Sequence, residues 1–285
     1  ETQALFQSLV AELGANSTLI VTEMSPWAAS RVAAGIPATS GVRLRGVDIE
    51  VPLLARVVRE LATANPENRP LVEMVAATKE GYRTPLAPAL LTLARRMGDV
   101  KDSAPGGVPL SELLTRTLEV EADRAQPAAA DLQASVRREQ VMKDFFVAHY
   151  RAAAAAGAKP KVAAVFGRNH MQRGIDRRGV STLGNFMTEF AVSEAADTFN
   201  VGLFAAGGKI ASGGVRDFDE RGTDAAFAYL GSVAKYRVTV FDMVPLRESL
   251  RRIPLAARTA LQESLLYWAD SYDAVLCYRE VTPAK

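Results

Sequence analysis

Five short, nearly continuous apolar runs are the feature that most constrains what this 285-residue chain can fold into. They are rich in β-branched or aromatic residues, and apolar runs without polar alternation are typical of strands covered on both faces of a parallel sheet. Helical patterns lie between or before them, and alternating strands and helices indicate a doubly wound sheet. The sequence therefore predicts an α/β fold with a mainly parallel sheet and helices on both faces. The runs occupy residues 19–22, 162–166, 201–204, 238–241 and 274–278.

The helices are predicted from apolar residues at helical spacing. One is expected over residues 134–156, where Gly157 ends it, and another over residues 246–269. A long excursion between the first two strands, about residues 25–127, has mostly helical periodicity. We expect this helical insertion to cover the carboxyl ends of the strands. Its periodic segments are residues 51–64, 86–97 and 110–122.

Composition limits the possible partners. The 34 basic and 32 acidic residues leave a formal charge of +2, so there is no electrostatic reason to expect a nucleic acid or an anionic membrane as partner. No apolar run reaches 18 residues, so no transmembrane segment is expected. The single cysteine, Cys277, excludes an internal disulfide and a cysteine-based metal site, and its predicted role is a small buried residue in a strand. The expected partner is a small-molecule substrate, and the compartment is left open.

Two chemically useful side chains follow predicted strands. Glu23 comes directly after the run at 19–22, and His170 closes the segment Gly167-Arg-Asn-His after the run at 162–166. Ligands of open parallel sheets bind just outside the carboxyl ends of the strands, so we expect Glu23 and His170 to open into one shared cleft. A carboxylate and an imidazole there can act as a general base with its orienting partner, or as two ligands of a divalent metal.

Other residues are weaker candidates for a functional role. His149 lies in the middle of a predicted helix, where packing is the expected role. Trp27 is a candidate for an apolar wall of the substrate site, although core packing explains it equally well. Ser181 and Ser193 lack the strand-turn-helix context of a nucleophile elbow, which disfavours a serine hydrolase. The glycine pairs around residues 209–212 indicate a hairpin or lid loop rather than a phosphate cradle.

The Gly-x-x-His segment resembles a feature of one superfamily. That superfamily joins erythromycin-esterase-like hydrolases, the ChaN iron-regulated lipoproteins and the Tiki/TraB metalloproteases. Three further stretches, in the same order along the chain, are similar to the erythromycin-esterase branch. They are Arg45-Gly-Val-Asp48, Arg138-Glu-Gln-Val-Met142 and the closing segment from Tyr272 to Pro283.

The resemblance implies one domain over residues 1–285, with the first strand of the fold lying upstream of Glu1 and carrying a Gly-Glu-x-x-His segment. It also implies hydrolysis of an ester, lactone or amide by activated water, with no covalent serine. His170 would handle the proton on the attacking water, assisted by Glu23. Arg45 and Arg138 would hold a carboxylate or an oxyanion, and Asp48 would fix Arg45 or its loop.

Two alternatives stay open. A metal-dependent peptidase of the Tiki/TraB type would use Glu23 and His170 as metal ligands. A non-catalytic protein of the ChaN type would hold haem or another apolar ligand. The esterase branch has His-Asn-x-His at this strand end, and here Gly167 takes the position of the first histidine. In this respect the segment is more similar to the Gly-x-x-His relatives. The cofactor is left open: the esterase-like hydrolase needs none, and the peptidase needs a divalent metal.

Overall fold

The computed structural model describes residues 18–24, 26, 29, 33–34, 43–49, 66–70, 73, 108–124, 130–157, 159–211 and 215–282. The chain divides into two compact units. The first comprises the chain up to Gly167 together with Arg178–Val180, and the second comprises Arg168–Arg177 and the chain from Ser181 onward. Trp27 and the helices predicted at 51–64 and 86–97 lie outside the described residues. The single domain over residues 1–285 stays a prediction.

A three-stranded parallel sheet forms the centre of the first unit. Its strands are β1 (Thr18–Thr22), β2 (Arg43–Gly46) and β3 (Lys161–Val165), in the order β2-β1-β3. In this register Ile20 lies opposite Leu44, and the two side chains belong to one fully buried apolar cluster. The strands predicted at 19–22 and 162–166 are confirmed. Strand β2 lies inside the insertion predicted to be mostly helical, at residues where no strand was predicted.

Two helices of the first unit are α1 (Leu110–Arg124) and α2 (Ala130–Ala154), and they pack against each other. Both were predicted, although α2 begins four residues earlier than expected. The described part of the insertion also contains a short 3-10 turn at Pro66–Asn68. That the insertion covers the carboxyl ends of the strands stays a prediction. Along α2, the buried side chains recur at helical spacing and form the face that packs inward: Val141, Met142, Phe145, Phe146 and His149.

His149 is buried on this face, at 5% exposure, and its Nε2–H donates to the Gly46 carbonyl at 3.2 Å. Burial lowers the pKa of His149 from 6.5 to about 4, and the charge of Arg45 adds to the lowering while the hydrogen bond to Gly46 opposes it. His149 is therefore neutral in the folded protein at neutral pH. The unfolded chain binds a proton near pH 6.5, so the stability due to neutral His149 is present above that pH and is lost as the pH falls toward 4.

We expect this loss to be measurable as about 2–3 kcal/mol in the free energy of unfolding between pH 7 and pH 4. Urea unfolding at a series of pH values would measure it. The His149→Gln variant should show a shallower pH dependence over the same window, because glutamine does not titrate. Equal slopes for the two proteins would contradict the assignment.

The second unit also has a three-stranded sheet, in the order β4 (Val201–Ala205), β8 (Ala274–Tyr278) and β7 (Val238–Asp242). Strand β4 is parallel to β8, whereas β7 is antiparallel to it. Strands β5 (Lys209–Ala211) and β6 (Val215–Asp217) pair antiparallel, which agrees with the hairpin among the two structures predicted there. The elements of this unit are α3 (Arg168–Met171), α4 (Leu183–Ser193), β4 (Val201–Ala205), β5 (Lys209–Ala211), β6 (Val215–Asp217), α5 (Ala225–Val233), β7 (Val238–Asp242), α6 (Val244–Arg251), α7 (Ala260–Ser271) and β8 (Ala274–Tyr278).

The connection from β7 to β8 differs from the prediction. The single helix expected over residues 246–269 is interrupted at Pro254, which has no backbone N–H and cannot continue a helix. Two helices result, α6 and α7, and they pack against each other. A single crossover helix brings the chain back to the end of the sheet where the previous strand began, so the next strand runs parallel. Two helices bring the chain back to the end that it left, so the next strand runs antiparallel. The strand pair is therefore antiparallel, and the expected parallel direction was wrong for β7.

The core of the second unit is aromatic. The rings of Phe204 and Phe227 stack at 4.7 Å, and Phe227 also contacts Trp268 at 4.6 Å between ring centroids. Cys277 lies in β8 with no exposed surface, as predicted, and burial raises the pKa of its thiol. None of the helices in the part of the chain that the structure describes is long and apolar enough to cross a membrane.

Candidate functional site

Glu23 lies at the carboxyl end of β1, and backbone hydrogen bonds hold this end of the strand on both sides. Its N–H donates to the Val165 carbonyl of β3 at 3.3 Å, and on the other side the Val47 N–H donates to the Thr22 carbonyl at 3.2 Å. The parallel ladder thus continues to this residue. Glu23 therefore stands at the edge of the sheet where parallel α/β folds bind their ligands.

The carboxylate of Glu23 has a fixed orientation. Its Oε1 accepts a hydrogen bond from Arg138 Nη2 at 3.1 Å, and its Oε2 accepts one from the backbone N–H of Gly167 at 2.5 Å. The side chain nevertheless remains 33% exposed. The group is therefore held by a charged donor and a backbone donor while solvent still reaches it.

Gly167 allows this close approach. A Cβ atom at this position would lie 2.9 Å from Glu23 Oε2, which is closer than real Cβ atoms come to other atoms. A side chain here would displace the carboxylate. The substitution of glycine for the histidine expected in the esterase branch thus accompanies a direct bond from the backbone to Glu23.

Arg138 joins Glu23 to a second carboxylate, that of Asp48, which follows β2. Arg138 Nε donates to Asp48 Oδ1 at 2.8 Å, and Nη2 donates to Asp48 Oδ2, so the contact is bidentate. The Asp48 side chain is only 4% exposed, and its Oδ1 also accepts the Ile49 N–H at 2.7 Å. Burial by itself lowers the pKa of Arg138, but its hydrogen bonds and charge contacts with Asp48 and Glu23 raise that pKa overall.

These contacts bear on the roles predicted for the arginines. Asp48 was expected to fix Arg45 or its loop; its carboxylate accepts the N–H of Ile49 in that loop and also pairs with Arg138. Arg45 donates from Nη1 to the carbonyl of its neighbour Leu44 at 2.9 Å, and burial together with the nearby charge of Arg43 lowers its pKa. Arg138 donates to carboxylates of the protein through Nε and Nη2. Contact of Arg45, Asp48 or Arg138 with a substrate stays a prediction.

The three charged groups form a cluster that we call the Glu23–Arg138–Asp48 triad. Two carboxylates and one guanidinium give it a formal charge of −1. The guanidinium of Arg138 donates to both carboxylates. Within the described ranges no group of three or more histidine, cysteine, aspartate or glutamate side chains is arranged to hold a metal ion.

His170 belongs to the second unit. It lies in the short helix α3, three residues beyond Gly167, and it is 9% exposed. Gly184, in the first turn of α4, packs against this helix: a Cβ there would lie 2.3 Å from the Met171 carbonyl carbon. The strand followed by a turn bearing His170 is as predicted. That Glu23 and His170 open into one cleft stays a prediction.

Two residues that contact the backbone or side chains around His170 were missed. They are Arg168, which directly follows Gly167, and Tyr272, which precedes β8. The sequence offered one signal for Arg168, because a charged residue two positions after the apolar run at 162–166, and close to a candidate histidine, needs a partner for its guanidinium. Nothing in the sequence pairs it with Tyr272, which lies 104 residues away.

Comparison with known proteins gives two structural similarities. One is to an erythromycin esterase, EreC, solved as a histidine-to-asparagine mutant in its open conformation. The TM-score is 0.56 at 14% identity, covering 96% of this chain and 85% of that one. The other is to a protein from Bacillus cereus, with a TM-score of 0.52 at 12% identity, covering 99% of this chain and 85% of that one. No protein-family model and no curated protein matches the sequence.

The fold and these similarities define a class: the chain has a mixed α/β fold like that of erythromycin esterase. At 12% and 14% identity, the similarity shows the fold and not the reaction. The α/β fold implied by the resemblance to the erythromycin-esterase branch is thus confirmed, and membership of that branch stays a prediction. The relation to ChaN and Tiki/TraB proteins stays a prediction.

Proposed function

We propose that this protein is a hydrolase that cleaves an ester, lactone or amide by activating water, with Glu23 and His170 as its catalytic residues. The observation that carries the proposal is the state of the Glu23 carboxylate. It lies at the carboxyl end of a parallel strand, is fixed by Arg138 and Gly167, and is still one-third exposed. A carboxylate that is both oriented and open to solvent is able to act on a water molecule bound beside it. The EreC-like fold supports the same class of reaction.

In the proposed mechanism Glu23 orients the attacking water and stabilises the positive charge that develops as the proton moves. His170 takes the proton and later delivers it to the leaving group, as imidazoles do near neutral pH. Positioned acid–base groups of this kind contribute about 10²–10⁴ in rate. No serine is needed as nucleophile, because the water attacks the carbonyl directly.

The triad favours a metal-free mechanism over the metal-dependent peptidase. Arg138 already neutralises one carboxylate charge, and its contact with Asp48 is bidentate. A guanidinium stays charged at any pH used for an assay, and chelators do not remove it. A divalent cation at Glu23 would have to compete with this built-in charge. We therefore propose that turnover does not depend on a metal.

The test is a hydrolysis assay on the natural polypeptide, with simple esters, lactones and a peptide panel, each with and without chelator. We expect ester or lactone turnover that survives chelation. The Glu23→Gln variant should lower kcat by about 10²-fold or more, because an amide cannot assist proton transfer. A matched control is Glu189→Gln, which alters an exposed glutamate on α4 that accepts a hydrogen bond from Asn185. This variant should turn over normally.

Three outcomes would contradict the proposal. Peptide cleavage that is lost on chelation and restored by Mn²⁺ or Zn²⁺ would show the peptidase instead. A Soret band on addition of haem, together with no turnover on any substrate, would show the binding protein. Equal activity of the Glu23→Gln variant and the parent would remove Glu23 from the mechanism.

A further inference from the structure

The helix that carries His170 is too short to be stable without contacts from other parts of the protein. Helix α3 has four residues, Arg168–Met171, which is one turn. Isolated helices of this length are far too short to be stable in water, because one hydrogen-bonded turn does not repay the cost of nucleation. The position of the His170 backbone therefore depends on contacts from neighbouring elements of the second unit.

Both ends of α3 accept hydrogen bonds from side chains. The Arg168 carbonyl accepts one from the Tyr272 hydroxyl at 2.5 Å, and the Met171 carbonyl accepts one from Asn200 Nδ2 at 3.1 Å. Tyr272 has no exposed surface. Burial raises the pKa of its hydroxyl above the ordinary range, so the group keeps its proton and remains a donor. These bonds satisfy carbonyls that a single helical turn leaves without partners.

The Arg168 side chain holds the first residue of α3. Its Nη1 donates to the Leu203 carbonyl at 3.0 Å, and its Nη2 lies 2.8 Å from Glu220 Oε1. Glu220 is itself fixed, because its Oε2 accepts the Ala205 N–H at 2.8 Å. The guanidinium lies over the rings of Phe227 and Trp268, at 4.6 and 5.3 Å from their centroids.

A partly buried guanidinium is costly as a purely stabilising device. The Arg168 side chain is 21% exposed, and among the residues that the structure describes its buried Nε has no hydrogen-bond partner. Apolar side chains of similar volume often stabilise a core as well as a buried ion pair does, or better. The ion pair instead fixes the orientation of the Arg168 side chain, because the guanidinium contacts a carboxylate, a carbonyl and two ring faces at the same time.

We propose that Tyr272 and Arg168 are positioning residues for His170, fixing the backbone from which the imidazole projects. This inference rests on the proposed function, in which His170 moves the proton. Tyr272 holds the carbonyl of Arg168, two residues before His170, and the Arg168 side chain anchors the same residue to Glu220. Neither residue needs to touch the substrate. Loss of either contact lets α3 shift, and shifts of about 1 Å in a catalytic group cost up to about 10² in rate.

The test uses Tyr272→Phe, which removes one oxygen atom and leaves the ring in the core. Tyr236→Phe is the matched control, because Tyr236 is 71% exposed in the same unit. We expect Tyr272→Phe to lower kcat about tenfold with KM changed less than twofold, since the substrate contacts are kept. Arg168→Met should have a larger effect of the same kind. Tyr236→Phe should change neither constant.

A spectroscopic measurement separates this inference from the proposed function. The chain has only two histidines, so their imidazole signals in a ¹H–¹³C NMR spectrum can be assigned by single substitutions. In Tyr272→Phe the His170 signals should shift or broaden, and those of His149 should not. A lower melting temperature with unchanged His170 signals and unchanged kcat would show a merely structural role and overturn the inference. If the parent protein hydrolyses nothing, the proposed function fails, while the His170 signals still decide the positioning role.

Discussion

Replacement of His170 by alanine is expected to lower kcat by about two to four orders of magnitude, the usual contribution of a positioned general base. The reason is that the chain has only two histidines, and the other, His149, is buried and neutral with a pKa of about 4. No second imidazole of this chain is therefore available to take over the proton. The measurement is steady-state hydrolysis of the best ester or lactone substrate near pH 7.5.

His149→Ala serves as the matched histidine control. It should lower the free energy of unfolding, because it empties a buried position and leaves the Gly46 carbonyl without its donor. Its kcat should stay close to that of the parent at temperatures where it remains folded. If His149→Ala abolishes turnover and His170→Ala does not, the assignment of the two histidines is reversed.

Arg138→Met is expected to be among the most destabilising single substitutions in the first unit. Removing one partner of a buried ion pair leaves the other charge without compensation, and such changes cost about 3–5 kcal/mol. The Asp48 carboxylate is 4% exposed, so water cannot replace the lost donors. Because Glu23 loses a donor as well, kcat should fall together with stability. Urea unfolding measures the first effect, and turnover of the folded variant measures the second.

The neighbouring arginine provides the control. Arg137 is on the same helix and pairs with Asp123, but its side chain is 38% exposed. Arg137→Met should therefore cost no more than about 1 kcal/mol, as is usual for ion pairs near the surface. The double variant Arg138→Met with Asp48→Asn should be less destabilised than the sum of the two single changes, because it no longer buries an unpaired charge. Equal effects of Arg137→Met and Arg138→Met would show that the triad has no special energetic role.

The strands were predictable from their continuous apolar character, although β4 and β7 are not covered on both faces as that pattern suggests: Leu203 is 52% exposed and Val240 is 62% exposed. All five predicted runs form strands, including Ala274–Tyr278, the central strand of the second sheet. Strand β2 was missed because Arg43 and Arg45 alternate with Leu44, a pattern usual at the edge of a sheet but weak as a signal. The direction of β7 could not be read from its own residues. It follows from the break at Pro254, which turns one expected helix into two.

The members of the triad were predictable individually, but their pairing was not. Glu23 and Asp48 were selected from their motifs, and the parallel register of β1 and β2 is what places them at neighbouring strand ends. Arg138 lies 115 residues from Glu23 and 90 from Asp48, so its choice of partner depends on how α2 packs. Guanidinium chemistry predicts that it binds a carboxylate. It does not say whether that carboxylate belongs to a substrate or to the protein.

The bond from Gly167 to Glu23 has a consequence for how this site can change in evolution. Its donor is a peptide N–H, which every residue except proline retains, so point substitutions at position 167 do not remove the donor. They act only through the added side chain, since a Cβ would press on Oε2. A larger residue here would therefore require the Glu23 carboxylate to move. The orientation of that carboxylate thus depends on the absence of a side chain at a residue 144 positions away.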